Sequence, residues 1–548
     1  MKAKLTFGAG VRVVLLLGSL SMAWAVAVTI DGSQEYQTMD GLGVAEAWNT
    51  PDSTFYPYLF DDLDISILRF RIAPELEPLN DNNDPNVIDW NNIDLSILTS
   101  FNPNPAAHGG SLRDLLREAK NRGIKIMGTI YSPPAWMKTN DSTKNGGQVI
   151  SGYENEFAEY VVIWISTLKD YYGIEMDYIS LQNEPDVTEV WETCTYTASS
   201  LNNFIKVVGA RFASENITTK ILGPETGWFG SFTNSQGTAR ADVICGDPVT
   251  KGYVDALATH SYGQTYNNPD SLIYGWLPIK SLANSCNKKL WMTEYCNTSG
   301  NATWLNAFNM AQHIHNAITY ADVTAYICWE FFDAPQPIIL KDQTTTYRYH
   351  MQKQYIKHIR PGSVRIDVQS GNNDVCVSAF SHKQNNTLTI VAINRNASSQ
   401  TADFDVQNIN NLSVMNVSRT SVSENSVDLG AVAITGNAFT YNLPDSSVTT
   451  FTATLSSTTE RPMAAAMAGS EGLHVSPNPV NGSRACVSLP SGCTVVDLYT
   501  VSGRKVRSLA IPSAQAEFWL DTRLPAGVYV LRAIADNRVY LDDIMILR

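Results

Sequence analysis

Ile124-Lys125-Ile126-Met127-Gly128-Thr129-Ile130 is a short apolar run; a longer amphipathic stretch, Glu154 to Tyr172, follows, and then a second short run, Met176-Asp177-Tyr178-Ile179-Ser180-Leu181. Short runs separated by helix-length segments are the pattern of parallel strands joined by crossover helices. Outward in both directions the same alternation extends from about residue 41 to 345. The candidate strands are Gly43 to Trp48, Ile65 to Ile72, Ile124 to Ile130, Met176 to Leu181, Ile221 to Gly223, Ala256 to His260, Lys289 to Thr293 and Val323 to Trp329. Leu112 to Asn121, Thr197 to Glu215 and Thr303 to Ala321 supply further helices, the last two with apolar residues at three-to-four spacing. Eight such units predict an α/β fold, a closed (β/α)8 TIM barrel. An open doubly wound sheet is the competing architecture; its nucleotide-binding form lacks support, because no glycine-rich phosphate loop follows an early strand.

After Pro361 the helical spacing stops and short alternating runs follow: Val364 to Val368, Val375 to Phe380, Leu388 to Ile393, Ala402 to Val406 and Val448 to Leu455. With turns rich in Asn, Ser and Gly, these predict an attached antiparallel β-sandwich. Val26 to Ile30, too early for the barrel, is expected to add a strand to it. Ser456 to Ser470 has the composition of a linker. The runs Thr494 to Tyr499, Glu517 to Leu520 and Gly527 to Ile534 then read as a small C-terminal all-β domain. The expected organisation is a signal peptide (1–25), a strand joining the sandwich (26–40), the barrel (41–357), the sandwich (358–455), a linker (456–470) and the C-terminal domain (471–548). The signal reading rests on Lys2, Lys4 and Arg12, the apolar run Val13 to Leu20, and the small-residue pattern Ala23-Trp24-Ala25. That run is shorter than the roughly 20 residues needed to cross a bilayer. A secreted or cell-surface protein is expected, with no integral membrane span in the mature chain.

Charge limits the partners. With 39 basic against 53 acidic residues and a net charge of −14, the chain has no basic surface for nucleic acid. Its 44% hydrophobic and 17% charged residues fit neither a disordered chain nor a membrane protein. Plentiful Trp and Tyr are compatible with sugar stacking and equally with ordinary burial. Cys194, Cys245, Cys286, Cys296, Cys328, Cys376, Cys486 and Cys493 all lie beyond the signal segment. Cys486 and Cys493, flanking the turn Leu489-Pro490-Ser491-Gly492, are the favoured disulfide pair. There is no CxxC pair and no HExxH, so neither a structural zinc site nor metal-assisted hydrolysis is indicated. No metal and no cofactor is expected, and the protein is read as a monomer.

In a barrel of this kind the reacting groups come from the carboxyl ends of the strands. Glu184 ends the fourth candidate strand, in Leu181-Gln182-Asn183-Glu184-Pro185, and Glu294 ends the seventh, in Leu290-Trp291-Met292-Thr293-Glu294-Tyr295. A carboxylate pair suits glycoside hydrolysis, where one group is protonated to help the departing oxygen and the other is ionised to attack or to activate water. One strand-end glutamate is weak evidence; two in matched apolar contexts are stronger. Arg69, Trp136, Glu225, His260, Tyr262 and Trp329 stand at other strand ends. Each has a bland reading beside the functional one: an ion pair for Arg69, a core histidine for His260, rim packing for Trp136 and Trp329. No GxSxG elbow supports Ser-His-Asp chemistry.

Asp40-Gly41-Leu42-Gly43, Ser66 to Arg71, Ser132-Pro133-Pro134-Ala135-Trp136-Met137-Lys138, Leu181 to Asp186 with Trp191-Glu192-Thr193-Cys194, Gly223-Pro224-Glu225, His260-Ser261-Tyr262-Gly263 and Trp291-Met292-Thr293-Glu294 occur in order. Together they resemble glycoside hydrolase family 30, over the barrel and sandwich. The resemblance implies a retaining enzyme working through a covalent glycosyl-enzyme, with Glu184 as acid/base and Glu294 as nucleophile. It implies further that Asn183 touches the sugar hydroxyl next to the reacting carbon. Trp136 and Trp329 would shape the −1 subsite, where Arg69, His260 and Tyr262 would hydrogen-bond. Members of the family include glucosylceramidases, β-1,6-glucanases, β-1,6-galactanases, fucosidases and xylanases, and Gln182 to Thr193 looks most like the bacterial xylanase branch.

One departure bears on substrate. The bacterial glucuronoxylanases of the family hold a glucuronic acid branch with an arginine and a nearby tyrosine after the last barrel strand. This chain reads Trp329-Glu330-Phe331-Phe332-Asp333-Ala334-Pro335 there, with no arginine until Arg348. The expected substrate is therefore plant cell-wall xylan without strict dependence on that branch; β-1,6-glucan or β-1,6-galactan hydrolysis and non-catalytic glycan binding remain the alternatives. Val475-Ser476-Pro477-Asn478-Pro479, Leu498 to Arg504 and Leu524 to Tyr529 are similar to C-terminal secretion and sorting domains of Bacteroidetes-like bacteria. That likeness implies a secretion-machinery partner.

Overall fold

Strand β1 (Val26–Thr38) precedes a closed barrel of parallel strands, β2 (Gly41–Glu46), β3 (Ile67–Ile72), β4 (Lys125–Ile130), β5 (Tyr178–Ser180), β6 (Lys220–Trp228), β7 (Val254–Tyr262), β8 (Lys289–Tyr295) and β9 (Ala325–Cys328). The computed structural model describes residues 25–99, 109–262, 270–296, 303–332, 337–410, 412–455 and, with short gaps, 473–546. The signal segment, the linker and Asp333-Ala334-Pro335 lie outside the described residues. The chain divides into two compact units, Met1–Thr458 and Thr459–Arg548.

The barrel closes where β2 pairs with β9, Gly41 opposite Ala325 and Val44 opposite Cys328. Between β2 and β3 the backbones come so close that a Cβ on Gly43 would stand 1.8 Å from the Ile67 carbonyl oxygen, so only glycine fits there. The barrel interior is a packed layer of Ala45, Ile67, Met127, Leu222, Ala256, Ala258, Trp291, Ala325 and Ile327. The alanines on β2, β7 and β9 leave room for the indole of Trp291, which lies 4.6 Å from the ring of Tyr178.

The helices begin where the sequence offers caps. Ser111, Thr197 and Thr303 accept backbone N–H bonds at the starts of Leu112–Asn121, Ala198–Glu215 and Trp304–Tyr320. Asn216, at φ 56°, closes the second of these. The expected helix Glu154 to Tyr172 is α-helical over Glu154–Ser166 and widens to a π turn over Thr167–Tyr171.

The sandwich segment contains β10 (Val364–Ser370), β11 (Val375–His382), β12 (Thr387–Asn394), β13 (Gln400–Gln407), β14 (Val414–Ser421), β15 (Glu424–Ala433), β16 (Ala438–Leu443) and β17 (Ser447–Thr454). With β1 they form a nine-stranded mixed sheet that folds over on itself as a sandwich. It is not wholly antiparallel as expected: β1 enters between β10 and β13 and runs parallel to β13, Val26 opposite Ala402. Strands β14 to β16 were not legible; β15 is largely exposed, so its alternation carries little apolar signal.

The C-terminal unit holds β18 (His474–Ser476), β19 (Arg484–Ser488) and β22 (Glu517–Asp521) in one sheet. A second sheet contains β20 (Val495–Thr500), β21 (Lys505–Ala510), β23 (Gly527–Ala535) and β24 (Arg538–Ile546). That division overturns the disulfide expectation. Cys486 sits in β19, while Cys493 leads into β20 of the other sheet, so the intervening turn does not bring two paired strands together, and both thiols are free. The disulfide that forms is Cys245–Cys286, with Cα atoms 5.5 Å apart.

Barrel and sandwich share a core. Phe380, Val391, Ile393 and Val448 of the sandwich belong to the same buried cluster as barrel residues such as Ile314, Tyr349 and Tyr355. Polar ties cross the same face, Gln354 donating to Thr420 at 2.9 Å and Thr450 to the Gln354 carbonyl at 3.0 Å. Each Å² of apolar surface opened there costs about 25 cal/mol. A chain ending near Arg360 should therefore be insoluble or melt well below the full protein, whereas one ending near Ser457 should keep its midpoint, as scanning calorimetry would show; equal melting of both would contradict the shared core.

Candidate active site

Four strands and their following turns converge on one buried cation. Arg69, in β3, is 1% exposed. Its Nη1 donates to Glu294 Oε2 and to the Tyr131 hydroxyl, both at 2.7 Å. Nη2 donates to Asn183 Oδ1 at 2.6 Å, and Nε lies 3.1 Å from Thr129 Oγ1 and 3.2 Å from Glu225 Oε1. These charge-assisted bonds hold side chains from β4, from the turn after β5, and from β6 and β8 around a single guanidinium. Burial disfavours its charge, yet Tyr131, Glu225 and Glu294 around it overcome that and hold the guanidinium pKa above the ordinary arginine range.

Glu184 stands four residues beyond the short strand β5, in a turn that gives it φ 46° and ties its N–H to the Glu225 carbonyl at 3.0 Å. Its Oε1 meets His260 Nδ1 at 2.9 Å. Glu294 lies inside β8, not past its end, and its Oε1 accepts from the Tyr262 hydroxyl at 3.0 Å. His260 Nδ1 is 3.8 Å from that same Oε1, and its Nε2 is 3.7 Å from Glu225. One ligand atom each of Glu184, His260 and Glu294 falls within 4.8 Å of the others.

That spacing would also admit a metal ion. The oxygens of Glu294 are already engaged by Arg69, Tyr131 and Tyr262, and Nδ1 of His260 by Glu184, which counts against one. Burial disfavours the imidazolium, yet Glu294, Glu184 and Glu225 overcome it and lift the pKa to about 10. Burial pushes Glu184 above the usual carboxylate range, offset in part by the hydrogen bond to His260. Glu225 goes the other way: burial raises it, but Arg69 and His260 hold it low.

The structure thus brings Arg69, Asn183, Glu184, His260, Tyr262 and Glu294 into one hydrogen-bonded group. Trp329 borders it through rings: Trp48 lies 6.0 Å and Tyr131 6.3 Å from it, and Trp48 and Tyr131 are 5.2 Å apart. Trp136 stands outside this group among the described contacts; its indole N–H donates to the Glu77 carbonyl at 3.1 Å and its ring packs edge-on against Tyr153. Two members had no assigned role in the sequence. Tyr131 directly follows the run Ile124 to Ile130, so its strand-end position was the available signal. Glu225 was visible only as one polar strand-end group among several.

The geometry defines a barrel with two buried carboxyl groups poised at its mouth, the arrangement of a glycoside hydrolase. A family model, O-Glycosyl hydrolase family 30, matches residues 108–336. Glucuronoxylanase XynC of Bacillus subtilis (strain 168) is 31% identical over 347 residues, 61% of this chain and 75% of that protein. The structure of a glycoside hydrolase family 30 subfamily 8 xylanase, Xyn30A from Clostridium acetobutylicum, aligns with TM-score 0.63 and 28% identity, over 78% of this chain and 99% of that one. A GH30 endoxylanase from Clostridium papyrosolvens C71 aligns with TM-score 0.63 and 26% identity, over 78% and 100%. The chain belongs to O-glycosyl hydrolase family 30 and is a hydrolase of β-glycosidic bonds.

Glu225→Gln keeps the shape of the side chain and removes an anion that faces both Arg69 and His260. Losing a charge that raises the pKa of His260 must lower it, so NMR titration of that ring should show deprotonation at a lower pH than in the wild type. The midpoint of unfolding should fall as well, since breaking a buried ion pair costs about 3–5 kcal/mol. An unchanged titration would remove Glu225 from the network.

Proposed function

We propose that the protein is a retaining β-1,4-xylanase in which Glu294 is the nucleophile and Glu184 the acid/base. The observation that carries this reading is the approach of the two carboxyl groups to within 4.8 Å, one from the turn after β5 and one from β8, with burial pushing Glu184 upward. Retaining enzymes hold this pair about 5 Å apart, and inverting enzymes need a wider gap for water. Glu294, hydrogen-bonded by Arg69 and Tyr262, attacks the anomeric carbon while Glu184 gives its proton to the leaving oxygen. Water then gives a proton to Glu184 and displaces Glu294 from the sugar. Asn183, whose Oδ1 is taken by Arg69, is left with its amide N–H groups for the neighbouring sugar hydroxyl. His260 and Tyr262 complete the −1 subsite and Trp329 serves as its aromatic wall, whereas Trp136, bonded to Glu77 and packed on Tyr153, is given no place in it.

Xylan as substrate is supported by the named activities of the similar proteins. Independence from a glucuronic acid branch is supported by the sequence after β9: Phe331 and Phe332 are buried, and Arg348, the next arginine, is fully buried with Nε on Asn306 at 2.9 Å. The signal segment and the likeness of the C-terminal unit to sorting domains support export to the cell surface. Among the described residues no helix is long and apolar enough to cross a membrane.

Glu184→Gln should lower kcat on xylan by about 10²–10⁴-fold, and Glu294→Gln by at least as much, with circular dichroism unchanged. The alkaline limb of the wild-type rate reports loss of the Glu184 proton; on an aryl glycoside whose leaving group needs no proton, the Glu184→Gln variant should lose that limb. Wild-type rates in both variants would overturn the assignment of these two glutamates, and a wild type that binds xylan without cleaving it would leave a glycan-binding barrel as the reading.

Product chromatography on glucuronoxylan, arabinoxylan, linear β-1,4-xylan, β-1,6-glucan and β-1,6-galactan tests the substrate. Comparable cleavage of the three xylans is expected. Strict need for the glucuronosyl branch would overturn the branch argument, and activity on a β-1,6-glycan alone would overturn xylan.

A further inference from the structure

Cleavage by an acid-assisted route needs a seat for the departing half of the substrate, and that seat lies on the side of the cleft carrying the acid. Here the neighbour of Glu184 is the end of β6. Gly227 approaches so closely that a Cβ on it would stand 3.0 Å from Glu184 Oε1. The next residue, Trp228, is 45% exposed.

Its backbone is held firmly. The N–H groups of Gly227 and Trp228 donate to Asp186 Oδ1 and Oδ2 at 2.9 and 3.2 Å, while the N–H of Glu184 donates to the Glu225 carbonyl. The turn bearing the acid and the strand end bearing the tryptophan are thus tied in both directions. Trp228 pairs with Tyr262 of β7, whose hydroxyl meets Glu294, across an irregularity in the register that follows Thr226. Among the described residues, Trp228 contacts no other aromatic ring and its indole N–H has no acceptor. The aromatic cluster of Trp48, Tyr131 and Trp329 adjoins Glu294 instead, through the Tyr131 hydroxyl at 3.3 Å.

We infer that Trp228 is the stacking platform of an aglycone subsite: the pyranose ring that departs with the protonated oxygen lies on its indole, so the cleft grips the glycan on both sides of the scissile bond. This rests on the reading of Glu184 as the acid. A flat aromatic face suits the apolar face of a pyranose.

Trp228→Ala and Trp228→Phe should be assayed on xylohexaose and on β-xylobiosyl fluoride, whose leaving group puts no ring beyond the scissile bond. The alanine variant should lose about tenfold or more in kcat/KM on xylohexaose, the worth of one good stacking contact, and match the wild type on the fluoride. The phenylalanine variant should recover most of the loss. Equal losses on both substrates would make Trp228 a structural residue, and no loss on xylohexaose would place the departing ring elsewhere; either overturns the inference. Wild-type hydrolysis of the fluoride checks the xylanase reading separately, and a wild type inactive on both substrates would sink that reading and the inference together.

Discussion

A guanidinium carries five N–H donors and does not give up its charge in a protein, so burying one obliges the fold to bring acceptors to it. Arg69 sets that obligation here. Its acceptors are Thr129 on β4, Tyr131 just after it, Asn183 past β5, Glu225 on β6 and Glu294 on β8. They reach one guanidinium only if the sheet is closed and its strands are staggered correctly, so barrel geometry and site geometry are one constraint. Withdrawing any anionic partner leaves a buried charge under-compensated, a cost far larger than a surface ion pair would carry.

The same cation decides where the site's protons rest. Arg69 and His260 bring two positive charges against three carboxyl groups, and the buried cluster is neutral when one of those groups is protonated. Glu225 and Glu294 touch the guanidinium; Glu184 does not, and meets only His260. Glu184 is thus the carboxyl group that the arginine leaves uncompensated, and burial favours its protonated form. Chemically identical carboxyl groups are given unequal surroundings by which of them the arginine reaches, the kind of environmental difference that acid-assisted displacement requires.

The barrel was legible because its strands are buried on both faces and read as unbroken apolar runs, with capped helices between them. Glu184 and Glu294 were legible as strand-end carboxylates, although only the structure places Glu294 inside β8 and Glu184 beyond β5. What escaped was set by contacts distant in sequence. Glu225 lies 156 residues from Arg69 and Tyr131 lies 163 from Glu294, separations at which no periodicity carries information. Strand β15, largely exposed, left no alternation to follow. The Cys486 and Cys493 pairing failed because nearness in sequence does not say which sheet a strand joins, whereas Cys245 and Cys286 meet across 41 residues.

Rigidity and selectivity are held by different parts of the catalytic unit. The charged network sits on strands whose outer layer shares its core with the sandwich, so displacing any catalytic group would mean disturbing tightly packed interior on both sides. Exposed and loop positions around the cleft stand outside that network. Trp228 is anchored through its backbone by Asp186, and among the described residues its side chain is bonded to none of the charged groups. The segment after β9 buries Phe331 and Phe332, while Arg348 turns into the core toward Asn306. Changes at such positions leave the partners of Arg69 untouched, so proton placement and bond-breaking can stay fixed while the accepted sugar or branch changes. The charge balance is closed within one buried cluster, so substitutions around it alter the cleft without altering that balance.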